Sequence, residues 1–361
     1  MNIKSELRKE GIEVISRLNS DKINFIAKNI AQRLVKAFPE QNINYYELFA
    51  KLSGLNMYIA KIPNGIAAKY FYKNNSIYFN STANLSNLDD VAIHECIHSL
   101  QTERNSLNKL SRLGLCEFSD SKLSGMGINE AAVQYMTMKS LGANSETVKY
   151  FGIDLPTYSP NYYALECNLI RQMAYITGEY TLFNSTLYSN DNFKDKFIAL
   201  TNKETYEKVK YNINYIIYLE DALNSLYVKL QSSNYISSTY TKLMHKADKI
   251  KKNIKDLFII TQNRIFTGYF DNYFNSLYTH KSIENFRSSL YNYKDLIGTT
   301  DNYTFFNNYY ISKMTELERK YSNSESVLSL LVPVKTTYFS TLIRKIKLLL
   351  GSKNYTTKRA E

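Results

Sequence analysis

Apolar residues recur every three or four positions over most of this chain. Ile23, Ile26, Ile30, Leu34 and Phe38 keep to one face, which predicts a helix capped by Ser20 or Asp21. A shorter helix is expected from Tyr45 to Leu52, ending near Gly54. The pattern then shifts to short aromatic and β-branched runs at Met57 to Ile62, Ala67 to Tyr72 and Ser76 to Asn80. The last two flank Lys73-Asn74-Asn75 and read as a hairpin, with Ile77 to Asn80 as a short edge strand. A helix should follow from about Ser86, with Ser86 or Asn87 as cap and Asp89 and Asp90 in its first turn, where acids suit the helix dipole. Gly125-Met126-Gly127 breaks the chain before another helix near Asn129.

Beyond Pro156 and Pro160 the helical period dominates. Val209, Ile213, Ile216, Leu223, Leu226 and Leu230 form one stripe, and Leu243, Ile250, Ile254 and Leu257 a second. Segments near 281–297 and 303–321 add to an expected helical bundle. The fold class is therefore α+β: a small sheet with helices, followed by a mainly helical part. The soft stretch Tyr188-Ser189-Asn190-Asp191-Asn192 sets the expected border, giving domains 1–188 and 189–361.

Composition narrows the classes. With 12 Gly and 5 Pro in 361 residues, the turns that an all-β sandwich or barrel needs are missing. Three cysteines, Cys96, Cys116 and Cys167, with no CxxC, make no disulfide framework and fit a reducing compartment. The first twenty residues lack the apolar core of a secretory signal. The longest apolar run, Val327 to Val334, is broken by Ser329 and Pro333 and falls short of a membrane span. A cytoplasmic location is the expectation. The net charge of +12 is nearly balanced up to residue 185 and concentrated beyond it. A final amphipathic helix through Phe339, Leu342, Ile343, Ile346, Leu349 and Leu350 carries Arg344, Lys345 and Lys347. It either docks on the bundle or lies on an anionic membrane as a peripheral contact.

The chemistry concentrates in His94-Glu95-Cys96-Ile97-His98. On a helix, histidines four apart project from one face, the spacing at which two imidazoles reach one Zn²⁺. Glu95, next to the first, can take a proton from an activated water. A catalytic zinc needs a third protein ligand. Position 104, where a third histidine would extend the motif, is Arg104, and position 101 is Gln101, so the metzincin pattern is excluded. His245 and His280 lie far away in the basic half. The better candidate is Glu130, opening a helix after the glycine break, with Ala131 and Ala132 small enough for close packing. Glu103 and Glu117 are rivals in a polar connecting stretch.

His94-Glu95-x-x-His98, followed some thirty residues on by Asn129-Glu130, resembles the gluzincin branch of the zincin-like metallopeptidases. More loosely it is similar to zincin-domain proteins of low-GC Gram-positive bacteria. The resemblance covers about residues 55–185. It implies a lobe whose edge strand pairs with an extended peptide and a helical lobe carrying Glu130. By resemblance, His94, His98 and Glu130 bind one zinc and Glu95 is general base. The position four after the third ligand, an acid in many gluzincins, is here Gln134, a weaker orienter of a zinc histidine; Asp89, Asp90 or a backbone carbonyl are substitutes. Tyr162, Tyr163 and Arg171 are the candidates to stabilise an oxyanion.

Two functions follow as expectations. The first is a zinc peptidase acting on a peptide or protein, whose helical half restricts substrates and can be removed without loss of metal. The second is a degenerate zincin scaffold whose basic helical half binds a partner protein, an anionic membrane or, least expected of the three, nucleic acid.

Overall fold

The computed structural model describes residues 3–321 apart from 64–65, 86–89, 107–109, 120–121, 233–237 and 278. The chain divides into two compact units, Met1–Ser276 with Asn292–Asp301, and Leu277–Tyr291 with Asn302–Glu361.

The first unit opens with α1 (Ile3–Lys9) and β1 (Glu13–Arg17), followed by α2 (Ser20–Ala37) and α3 (Tyr45–Ser53). Ile23, Ile26, Ile30 and Leu34 of α2 are buried, as their spacing requires. The caps are asparagines and not Ser20 or Asp21. Asn19 accepts the N–H of Lys22, and Asn44 those of Tyr46 and Glu47. Strands β2 (Asn56–Lys61), β3 (Ala68–Phe71) and β4 (Ser76–Asn80) join β1 in a mixed four-stranded sheet of order β1-β2-β4-β3. β2 and β4 run parallel, while β1 and β3 are antiparallel to their neighbours.

The expected edge strand is thus an inner one. Ile77 to Phe79 of β4 are fully buried between β2 and β3, and β3 forms the rim. An uninterrupted apolar run is what a strand covered on both faces should carry. Tyr58 and Tyr78 stack at 5.2 Å on a core shared with Leu7, Ile12, Ala60 and Phe71.

Helix α4 (Asp90–Leu100) packs against β3 and β4 and carries the His94–His98 motif. The cap expected at Ser86 or Asn87, and Asp89 with it, lies outside the described residues. The stretch after α4 holds two hairpins: β5 (Thr102–Arg104) with β6 (Leu110–Leu113), and β7 (Glu117–Ser119) with β8 (Lys122–Ser124). Next comes α5 (Met126–Ser140), starting three residues before the expected Asn129, with Gly125 as a left-handed cap. It is buried on nearly every side, the mark of a central helix. Gly127 lets it approach closely: a Cβ there would stand 2.8–3.0 Å from Asn214 atoms.

The hairpin β9 (Glu146–Tyr150) and β10 (Ile153–Thr157) leads into α6 (Ala164–Thr177), α7 (Glu179–Tyr188), α8 (Asn192–Leu200), α9 (Lys203–Gln231) and α10 (Ser238–Asn275). The stripe from Val209 to Leu230 is buried along α9; on α10 it is Phe258 and not Leu257 that reaches the core beside Ile250 and Ile254. α9 lies against α5, with Gly127 N–H donating to Asn214 Oδ1 at 2.5 Å, and α10 lies against α6. The 188/189 border expected from sequence falls inside this unit. A buried amide network ties it further: Gln172 Nε2 donates to Asn168 Oδ1 and Gln262 Oε1, and Gln262 Nε2 to the Gly298 carbonyl.

The second unit contains most of α11 (His280–Tyr293), with Ile283, Phe286 and Leu290 buried, and α12 (Phe305–Tyr321), with Phe306 and Leu317 buried. The expected amphipathic helix from Phe339 to Leu350 lies outside the described residues. Among the described residues no helix is long and apolar enough to cross a membrane.

Candidate metal centre

His94 and His98 project from the same face of α4, one turn apart, and α5 brings Glu130 to them. His98 Nε2 lies 3.0 Å from His94 Nε2, while Glu130 Oε2 lies 3.1 Å from His94 Nε2 and 3.3 Å from His98 Nε2. Ligand atoms around a tetrahedral zinc at ~2.0–2.1 Å stand about 3.3 Å apart, so the triangle has the size of one face of such a site. Both histidines are 7 % exposed, and Glu130 is partly open. Among the described residues these three form the group that can hold a metal ion.

The hydrogen bonds fix which nitrogens face the centre. Gln134 Oε1 lies 2.8 Å from His94 Nδ1, and Gln134 Nε2 donates to Ser159 Oγ at 3.0 Å. With its amide nitrogen engaged, Gln134 offers His94 an acceptor, so Nδ1 carries the proton and Nε2 keeps its lone pair. Gln134 itself therefore does the orienting for which Asp89, Asp90 or a carbonyl were the expected substitutes. Gln101 Oε1 lies 3.1 Å from His98 Nδ1 and does the same there. Gln101 is held by Asn129, whose Nδ2 donates to Gln101 Oε1 and whose Oδ1 accepts from Gln101 Nε2 and the Leu115 N–H.

Two lone pairs and a carboxylate within 3.3 Å repel one another unless a positive charge joins them. That demand appears in the titration of the groups. Burial alone would lower the His98 imidazole, but Glu130, with Glu95 and Gln101, outweighs it and lifts the pKa to about 9. Burial works to raise Glu130, yet His98 and His94 hold it well below the usual carboxylate range. Two imidazole nitrogens, free of their protons once a cation is bound, and an ionised carboxylate make a donor set able to hold a metal ion.

Glu95, beside the trio on α4, accepts the backbone N–H of Tyr70 at 2.6 Å. Burial pushes its pKa up, against the opposing pull of His94, His98 and that N–H. Of the residues expected to face an oxyanion, only Tyr163 is at the site. Its ring lies 6.3 Å from that of His94, and its hydroxyl is kept protonated by burial and by Glu130, Glu166, Asp221 and Glu95. Tyr162 is exposed, and its carbonyl accepts from Ser159. Arg171 is turned away to Ser145 Oγ and the Tyr158 ring.

The rival acids do not join. Glu103 is exposed on β5, and Glu117 is engaged by Lys194 and Lys210 at 2.7 and 2.5 Å. His245 is exposed on α10, and the His280 side chain lies outside the described residues. All three cysteines are buried, with thiols pushed up by burial, and offer no nucleophile.

Sequence reasoning passed over Gln101, Asn129 and Gly114. Gly114 has φ +54°, and a Cβ there would stand 2.1 Å from Asn129 Oδ1 and 2.5 Å from Gln101 Nε2. The local signal was a glycine alone, which does not say what it packs against. Compared with protein-family models, with characterised proteins and with solved structures, the chain finds no match.

Proposed function

We propose that the chain is a zinc-dependent peptidase. The observation that carries this reading is the convergence of His94 Nε2, His98 Nε2 and Glu130 Oε2 within 3.0–3.3 Å, with the carboxylate of Glu95 beside them. A zinc ion held by these three supplies Lewis acidity, polarising a carbonyl and making a water acidic. Glu95 takes the proton of the attacking water on its carboxylate and returns it to the leaving amine nitrogen. Its raised pKa suits the task, because a carboxylate that holds a proton more firmly than usual is the better base for the water. The Tyr163 hydroxyl, kept protonated, is the donor available to the carbonyl oxygen. Gln134 and Gln101 hold the two imidazoles in the tautomer that presents Nε2.

The test pairs metal content with hydrolysis. Wild type should bind about one zinc per chain. Glu130→Ala should lose most of it by elemental analysis. Glu95→Gln should keep the metal and cleave a quenched peptide library about 10²–10⁴-fold more slowly. A Gln variant as active as wild type would sink the mechanism.

A further inference from the structure

Helix α3 presents one face to a groove outside the metal centre. Asn44, its cap, lines a narrow cleft of about 80 Å³ together with Glu47, Leu48 and Lys51. Lys51 and Leu55, just beyond the helix, line a wider cleft of about 260 Å³. Positions 44, 47, 48, 51 and 55 follow helical spacing, so the two clefts lie end to end along α3. Lys51 of α3 and Leu100 of α4 border both and mark where they meet. Ser99 and Leu100 leave α4 roughly 100° and 200° round from His98, so the groove lies on another side of α4 from the metal ligands.

The two ends differ in chemistry. At the narrow end Leu34, Ile43, Leu48, Leu100 and Leu187 supply the walls. The polar members there are spent or sit at the rim: Asn44 Oδ1 caps α3, and Glu47 and Tyr188 are exposed. A peptide laid in this end would leave backbone amides without partners, whereas an alkyl chain asks for none. One water needs about 10–15 Å³ of such volume, so the cleft holds about six waters, or a chain of about six methylenes. That is too narrow for a helix or a strand.

The wider end is lined by Lys51 and Arg104 and by no acid. Its hydroxyl protons are committed, Ser99 Oγ donating to the Cys96 carbonyl and Thr102 Oγ1 to the His98 carbonyl. The Arg104 guanidinium donates to the Tyr72 carbonyl, which fixes it in the wall. Asn75 Oδ1 accepts the Tyr70 hydroxyl at 3.0 Å, which leaves the Asn75 amide nitrogen for a ligand. Lys51 is exposed and forms no ion pair among the described residues. One ammonium and one amide nitrogen match the two oxygens of a single carboxylate. We infer that this groove binds a medium-chain fatty acid. The carboxylate meets Lys51 and Asn75, and the alkyl chain runs along α3 into the leucine-lined cleft.

Calorimetry on the full chain tests this with octanoate, butanoate, octanol and octyl phosphate, all below their micellar concentrations. Octanoate should bind at least about tenfold more tightly than butanoate, which cannot fill the narrow end. It should also exceed octanol by about tenfold, because octanol has no charge for Lys51. Lys51→Met, at an exposed position, should fold as wild type, lose about that factor for octanoate and leave octanol unchanged. Zinc content should be the same in both proteins. A diazirine-bearing octanoate should crosslink within 43–51 or at 187–188, read by mass spectrometry, and free octanoate should suppress the label. No octanoate binding at millimolar concentration would overturn the inference. So would equal affinity for octanol, an unchanged affinity in Lys51→Met, or labelling elsewhere on the chain. Tighter binding of octyl phosphate than of octanoate would overturn the carboxylate as the head group.

Discussion

Gln101 does for His98 what Gln134 does for His94, yet only Gln134 stands at a position where sequence directed attention. The i, i+4 histidines and the glutamate after a glycine break are legible because their geometry is local: a helix puts its own residues on one face. Gln101, Asn129 and Gly114 meet only after the β5–β6 hairpin folds back on α5, and no local spacing announces that. Gln101→Leu should leave His98 Nδ1–H and Asn129 Nδ2 without an acceptor and weaken metal binding about 10–100-fold, measured by competition of zinc with a chelator. Gly114→Ala should do at least as much, because it strains a left-handed backbone and also displaces the Gln101–Asn129 pair. Metal uptake should also depend on pH. Because Glu130 holds a proton on His98 up to about 9, a metal ion taken up there must displace it. The apparent affinity should therefore rise with pH, by up to about tenfold per unit, and flatten near pH 9.

At the scale of elements, the long helices were readable from their stripes and the short strands were not. α2, α9 and α10 each repeat an apolar face over many turns. β5 to β8 are three or four residues long and mostly polar, too short for alternation to rise above chance. The order of the sheet also escaped, because which strand becomes the rim depends on pairing between segments and not on the character of either. Glu220, on α9, carries its own prediction. The Glu220 pKa, raised to about 7, means the folded chain holds a proton there that the unfolded chain releases near the ordinary carboxylate value. The folded state then binds more protons between roughly pH 4.5 and 7, so this group's contribution to stability falls as pH rises through that window. Glu220→Gln should flatten the fall, read as the difference in Tm between pH 5 and pH 8.

At the largest scale, the first unit is organised around α5. It is enclosed by α4, which carries the histidines, and by α6, α7 and α9. The sequence placed a border before α8 because polar and small residues cluster at 188–192, but a soft connection need not separate two cores. Gly127 and Asn214 join across it, as do Lys210 and Glu117. The helical half was expected to be removable with the metal site intact. With α9 covering α5, a chain ending at residue 188 should instead expose apolar faces of α5 and α6. It should retain no zinc after refolding, as elemental analysis would show.

The hydrogen bond from Tyr70 to Glu95 has a consequence at the rim of the sheet. The Tyr70 N–H turns away from β4, and Glu95 already occupies it; a few residues on, the Tyr72 carbonyl is taken by the Arg104 guanidinium. Two rungs of that border are therefore filled by side chains, so β3 is a poor template for self-assembly. Among the described residues the opposite border carries no further strand. All of β1 is exposed, including Val14 and Ile15, and it pairs with β2. Any lengthening of the sheet by further copies of the chain, up to a fibril, therefore starts at β1 and grows away from the metal centre.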